Sequence, residues 1–249
     1  MASIGIFDSG CGGLSVYREL VKVLPNERYL YFSDNAHCPY GEKTASYIQD
    51  RARAITDILL GMGADIIVVA CNTATAAAIA TLRAEYPQVP FIGMEPAVKP
   101  AALGTKTGVI GVLATAGTLK GSKYLHTRGI YGDDVEIVEH VGSGFVELVE
   151  NGILDGPEAE ATVRASVQPL LDEGADTIVL GCTHYPFLRP VIERVAGPGV
   201  KVIDPAPAVA RQTVRVLAEH GIPTGDGPFS VDLYFSGEPD ALQRIFSLV

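Results

Sequence analysis

Tryptophan is absent from this chain of 249 residues, and positive charge is scarce: 19 lysines and arginines face 29 aspartates and glutamates. A net charge of −10 argues against partners that demand basic patches, so neither nucleic acid nor an anionic membrane is expected. Long apolar runs are missing as well. Each is broken within a few residues by Asp, Gly or Thr, well short of the roughly 20 residues that span a bilayer. Only four cysteines occur, Cys11, Cys38, Cys71 and Cys182, and none forms the C-x-x-C pair of a zinc site. The segment Met1-Ala2-Ser3-Ile4-Gly5-Ile6-Phe7-Asp8 has neither the basic nor the long apolar stretch of a secretory leader. Free thiols in a reducing cytoplasm are the resulting expectation. A hydrophobic content of 47% supplies enough apolar material for one large core or two ordinary domains.

What the chain does have is a repeat. Gly63-Ala64-Asp65-Ile66-Ile67-Val68-Val69-Ala70-Cys71 recurs as Gly174-Ala175-Asp176-Thr177-Ile178-Val179-Leu180-Gly181-Cys182, with six of nine positions identical and 111 residues between the copies. Each copy reads as a buried strand delivering a thiol at its C-terminal tip. A second match lies upstream: Ile4-Gly5 and Ser9 are echoed by Ile110-Gly111 and Thr115, 106 residues later. Two matches at nearly one spacing point to a duplicated unit.

Strand-like runs alternate with helix-like segments throughout, the α/β pattern. Strands are predicted at Ile4–Phe7, Tyr29–Phe32, Phe91–Met94 and Val231–Phe235, besides the two that end in cysteine. Helices are predicted at Leu14–Leu24, Thr44–Met62, Thr73–Glu85, Gly144–Asn151 and Pro157–Leu171. Pro96/Pro100 and Pro205/Pro207 mark crossings between units. The expected organisation is two pseudo-symmetric α/β domains with mainly parallel central sheets and a site in the cleft between them. The first comprises residues 1–96 with 207–249 and the second residues 97–206.

In open α/β sheets, ligands bind at the C-terminal strand edge, where both thiols are expected. Nearby helix N-termini would lower a thiol's pKa and favour the thiolate. Taken singly, each cysteine reads equally as a small buried hydrophobe. The duplication and the polar residues that follow, Asn72-Thr73 and Thr183-His184-Tyr185-Pro186, turn the argument toward chemistry. Hydroxyls, an amide and backbone N–H groups at a helix start make an anion cradle. His184, two residues from a thiol, is placed to share a proton with a nearby acid. Asp8-Ser9-Gly10 closes the first strand and leads into Cys11-Gly12-Gly13, a turn lacking the Walker lysine and the Rossmann spacing. Asp8 and Ser9 read either as helix caps or as ligand contacts. Pro39-Tyr40-Gly41 reads as a turn. Cys11 and Cys38, without duplicates, read as structural or incidental.

In the order Asp8-Ser9-Gly10, Pro39-Tyr40-Gly41, Cys71-Asn72-Thr73, Gly181-Cys182-Thr183-His184-Tyr185-Pro186, these motifs resemble the glutamate racemases of the aspartate/glutamate racemase superfamily over essentially the whole chain. The resemblance implies catalysis without pyridoxal phosphate, metal or nucleotide. It implies Cys71 and Cys182 as the two acid/base residues, Asp8 assisting Cys71, and His184 with Glu150 assisting Cys182. Substrate contacts then fall on Asp8, Ser9, Tyr40, Gly41, Asn72, Thr73, Thr115, Thr118, Thr183 and His184. The implied substrate pair is L- and D-glutamate, the implied role the supply of D-glutamate for peptidoglycan, and the implied assembly a homodimer.

Chemistry fits this implication independently. Inverting an α-carbon requires removing a proton from one face and delivering one to the other, which two opposed thiols can do. Three other readings are compatible with the residues: a racemase for aspartate or another acidic amino acid, a thiol redox protein pairing Cys71 with Cys182, and a regulatory binding protein without catalysis.

Overall fold

The structure is a computed structural model that describes residues 1–225 and 227–249. Nine strands run Ser3–Asp8 (β1), Arg28–Ser33 (β2), Ile66–Val69 (β3), Phe91–Gly93 (β4), Val109–Ala114 (β5), Glu136–Val141 (β6), Thr177–Gly181 (β7), Lys201–Ile203 (β8) and Ser230–Phe235 (β9). Between them lie helices Leu14–Val23 (α1), Ala45–Gly61 (α2), Asn72–Glu85 (α3), Val98–Ala102 (α4), Ala116–Leu119 (α5), Ser122–Tyr131 (α6), Phe145–Glu150 (α7), Pro157–Asp172 (α8), Arg189–Ala196 (α9) and Ala206–Glu219 (α10). A last helix, Asp240–Phe246 (α11), follows β9.

Two sheets result, ordered β4-β3-β1-β2-β9 and β6-β5-β7-β8, and every pairing is parallel. The central strands β1, β3, β5 and β7 are nearly continuous apolar runs because helices cover both faces. On one face of the first sheet, Phe7, Leu30, Ile67 and Val69 pack with Ile48, Ala52, Ile55 and Leu59 of α2 and with Ala78 and Leu82 of α3. On the opposite face, Ile4, Ile6, Tyr29, Tyr31 and Val68 join Leu14, Tyr17 and Leu20 of α1. The alternation is the strand's two-residue period expressed as packing. In the second sheet, Ile110, Val112 and Val179 face α4 and α6, while Leu113, Ile178 and Leu180 face α8 and α9.

The duplication holds to the level of strand register. Ile4 pairs with Ile66 in the first sheet, and Ile110 pairs with Thr177 in the second, each residue displaced by its own repeat spacing. The same correspondence runs on through Phe7–Val69 and Leu113–Leu180. Gly63 and Gly174, which precede the repeated strands, both adopt a left-handed backbone with φ of 88° and 87°. Gly5 and Gly111 occupy equivalent points: a Cβ on Gly5 would lie 2.7 Å from Ile67 Cδ1, and one on Gly111 2.8 Å from Leu170 Cδ1. The second unit also contains β6, α6 and β8, which the sequence reading did not separate. β9 has no counterpart; it extends the first sheet beside β2.

The two units share apolar contacts as well as symmetry. Leu14, Tyr17 and Leu20 of α1 belong to one buried cluster with Phe145 and Leu148 of α7, Val191 and Ile192 of α9, and Leu242 and Ile245 of α11. No helix among the described residues is long and apolar enough to cross a membrane.

Candidate active site

Both sheets have the same strand order about their first strand, so each has a switch point where successive connections leave in opposite directions. In the first sheet it lies between β1 and β3; in the second, between β5 and β7. A crevice opens at the C-terminal ends of such strand pairs. At those ends stand Asp8 and Cys71 in one unit, and Thr115 and Cys182 in the other. The two crevices meet in a narrow cavity whose lining includes Ser9, Tyr40, Gly41, Cys71, Asn72 and Thr73 from the first unit. Thr115, Cys182, Thr183 and His184 line it from the second, with Pro39 and Val146 completing the wall.

Cys71 caps the 14-residue helix α3, and its Sγ accepts the Ala74 N–H at 3.4 Å. Ser9 Oγ lies 3.8 Å from the same sulfur. The expectation that a helix N-terminus would depress this thiol's pKa is reversed here. Burial pushes Cys71 well above the usual thiol range, the nearby Asp8 charge adds to that, and the Ala74 N–H offsets only part. Asp8 is itself fully buried and lies behind the cavity wall. Its Oδ2 accepts the N–H groups of Gly10 at 3.2 Å and Gly13 at 3.0 Å, and its Oδ1 accepts Thr183 Oγ1 at 3.4 Å. Burial raises its pKa, against the pull of the His184 charge and the Gly13 N–H.

Cys182 is built differently. No α-helix begins directly after it; the chain makes a 3₁₀ turn at Tyr185–Leu188 before α9 starts at Arg189. Its polar neighbour is an imidazole, with His184 Nδ1 3.8 Å from Cys182 Sγ. On the far side, His184 Nε2 lies 2.7 Å from Glu150 Oε1. Burial works to keep this histidine neutral, but contacts to Cys11, Cys182 and Glu150 outweigh it and raise its pKa well above the usual value. An imidazolium therefore donates from Nε2 to Glu150. Burial pushes Glu150 up, and its bonds to His184 and the Cys11 N–H more than reverse this, leaving it below the ordinary carboxylate range. Glu150, at the end of α7, thus stands behind His184 and outside the cavity lining.

Hydroxyls join the two units. Thr73 Oγ1 lies 2.9 Å from Thr115 Oγ1, which lies 3.0 Å from Thr118 Oγ1. Thr118 lines a neighbouring recess, with Asn72, Met94 and Tyr124. Asn72, only 3% exposed, is shared by both spaces, and neither its side-chain oxygen nor its nitrogen has a hydrogen-bond partner among the described residues. A buried amide left so is an uncompensated cost unless a ligand completes it.

Three features of the site had little readable signal in sequence. The turn Gly10-Cys11-Gly12-Gly13 is where the second unit presses on the first: a Cβ on Gly10 would overlap Glu150 Oε1, and one on Gly12 would overlap the His184 ring. Cys11 contributes its backbone N–H, 2.8 Å from Glu150 Oε1. Tyr40 donates its hydroxyl to buried Asp34, which Arg51 of α2 grips through two bonds of 2.9 and 2.7 Å. Only the glycines' clustering hinted at a close approach. All four cysteines are free.

The model of the Asp/Glu/hydantoin racemase family matches residues 4–213 of the chain. A glutamate racemase of Ectopseudomonas mendocina is 48% identical over 248 residues, covering 100% of this chain and 94% of that one. Among solved structures, a glutamate racemase isoform from Bacillus anthracis superposes with a TM-score of 0.88 at 32% identity, over 98% of this chain and 92% of that one. The Escherichia coli glutamate racemase, solved with L-glutamate and the activator UDP-MurNAc-Ala, gives 0.86 at 32% identity over 99% and 93%. The family match, the identity over the whole chain and the superposition agree: the chain belongs to the Asp/Glu/hydantoin racemase family and, within it, to the glutamate racemases.

Proposed function

We propose that this protein interconverts L- and D-glutamate by proton transfer between two thiols, Cys71 and Cys182, without a cofactor. One observation carries the reading: the two sulfurs come from equivalent strand tips of a duplicated fold and line one cavity from its two halves. A carbon held between them meets an acid on one face and a base on the other. Removal of its proton by one thiolate and delivery of a proton by the opposite thiol inverts it; the reverse direction exchanges the roles. The relative from Escherichia coli was solved with L-glutamate, which supports an acidic amino acid as the ligand.

The α-proton is far less acidic than a thiol, so the site must stabilise negative charge as it develops on the substrate. Asn72, with its amide unpaired, and the hydroxyls of Ser9, Thr73, Thr115 and Thr183 supply polar contacts around the cavity. The backbone at Tyr40-Gly41 closes it, and Thr118 steadies Thr115. Asp8 acts on Cys71 through charge, favouring the protonated thiol that serves as the acid. A substrate ammonium brought near it would offset the burial and the Asp8 charge that hold Cys71 protonated. His184, backed by Glu150, is the electrostatic partner of the Cys182 sulfur when that sulfur carries charge.

The division into residues 1–96 with 207–249 and residues 97–206 lets closure of one unit on the other exclude water during transfer. The product D-glutamate fits a supply to peptidoglycan in the cytoplasm. A homodimer is the assembly the family resemblance implies; light scattering tests it. The activity test is direct: L-glutamate incubated with reduced protein should lose its circular dichroism. Retained optical activity refutes the reading, and faster loss with L-aspartate reassigns the substrate.

A further inference from the structure

The Cys11 thiol takes no part in the proposed proton transfer, yet it sits in a cluster of metal-ligating atoms. Cys11 Sγ, a carboxylate oxygen of Glu150 and a ring nitrogen of His184 all lie within 4.8 Å of one another. We propose that these three side chains form a binding site for a borderline divalent cation of the zinc class. A cation held there competes with the His184–Glu150 contact and so inhibits rather than assists.

The donor set is one sulfur, one imidazole nitrogen and one carboxylate oxygen, the ligand types that zinc takes. Magnesium and calcium favour all-oxygen shells, so the thiol and imidazole select against them. Zinc bonds of about 2.0–2.3 Å place tetrahedral neighbours roughly 3.3–3.6 Å apart. His184 Nε2 and Glu150 Oε1, now 2.7 Å apart, therefore need to separate by less than about 1 Å. The bare Cα atoms of Gly10 and Gly12 let Glu150 and the His184 ring press directly against the turn that carries Cys11, a close approach that any side chain would prevent. Cys38 Sγ, 3.9 Å from Glu150 Oε1, or a water from the substrate cavity can take the fourth position.

Glu150 is already held by the Cys11 N–H, which orients the carboxylate as an outer partner orients a ligand. Binding displaces the thiol proton of Cys11 and the Nε2 proton of His184 to solvent, so two protons leave per cation and no oxidation state changes. With Nε2 on the metal, His184 no longer pairs with Glu150, and the Cys182 side loses its charged partner.

The test separates this site from the substrate thiols. In full-length protein carrying Cys71→Ala and Cys182→Ala, titration with Co²⁺ alone is expected to bind one equivalent with a near-ultraviolet sulfur-to-cobalt absorption band, and Zn²⁺ should displace it. Adding Cys11→Val should abolish the band and weaken Zn²⁺ binding by at least about tenfold. Should the valine variant fail to fold, Cys11→Ser keeps the side chain's shape and must also abolish the band. No band in the double variant, or an undiminished band once Cys11 is replaced, overturns the proposal. Because the double variant lacks both substrate thiols, this outcome is independent of whether the racemisation scheme is right.

Discussion

Cys71 and Cys182 stand at equivalent strand tips, yet their surroundings have nothing in common beyond the backbone. Cys71 sits at a helix start: it caps α3, and its polar company is a backbone N–H, a serine hydroxyl and a buried carboxylate. Cys182 precedes a 3₁₀ turn instead, and its polar company is an imidazole, itself braced by a glutamate that the first unit's backbone holds in place. Duplication supplies the frame, and divergence after the cysteine supplies the unlike surroundings. A substrate that is itself unlike at its two ends is matched by a site that is unlike in its two halves.

The comparison breaks most sharply if one thiol proves dispensable. Cys71→Ala and Cys182→Ala are each expected to lower racemisation by at least about 1,000-fold, read by circular dichroism. Near-normal turnover in either variant would mean that one sulfur is not an acid/base group. Replacing His184 tests the Cys182 half alone: His184→Asn should cost about 100-fold. Enantiomers have equal free energy, so kcat/KM must fall equally in both directions. The asymmetry should appear instead in kcat and KM taken separately. Identical changes in those constants for both enantiomers would count against a one-sided role.

Gly12→Ala probes the same half through its packing. The new methyl displaces the His184 ring, and a shift of that kind is expected to cost about 10- to 100-fold in turnover. A fully active alanine variant would show that the ring's placement does not matter. The smallest effect on activity is expected on the Cys71 side, at Arg51→Met. Burial pushes Asp34 up, but the bonds from Arg51 and Tyr40 more than reverse this and hold it below the ordinary carboxylate range. A depressed folded-state pKa contributes stability that is present above about pH 4 and lost as pH falls through the folded value. Denaturant melts should show the variant weaker by about 3 kcal/mol at pH 7, because one charge is left buried and unpaired. The difference should shrink in acid; a gap that grew would reverse the assignment.

The α/β class, the two units and the two cysteine-tipped strands were all legible in the sequence, because buried parallel strands write themselves as apolar runs ending in polar tips. Register symmetry followed from the same repeats. Glu150 was not legible from spacing, since a glutamate ending an amphipathic helix is ordinarily solvated. What makes it different is the Cys11 N–H, which lies 139 positions away in the chain. The thiol's ionisation was misjudged for a related reason. A helix N-terminus is a local signal, whereas burial and the Asp8 charge arise only once strands β1 and β3 are side by side. Half-buried β6 (Glu136–Val141) lacks the apolar run that identifies its neighbours, so its pairing partner defines it better than its composition.

The apolar cluster that joins α1 to α7, α9 and α11 has a consequence for how the molecule comes apart. Two duplicated units with separate sheets would ordinarily melt in two steps. Here Leu14, Tyr17 and Leu20 belong to the same continuous buried cluster as Phe145, Leu148 and Ile192, so opening that cluster exposes the interior of both units. Calorimetry should therefore record one cooperative transition, and two resolved transitions would show the units to be thermally independent. A halved gene would not yield half an enzyme.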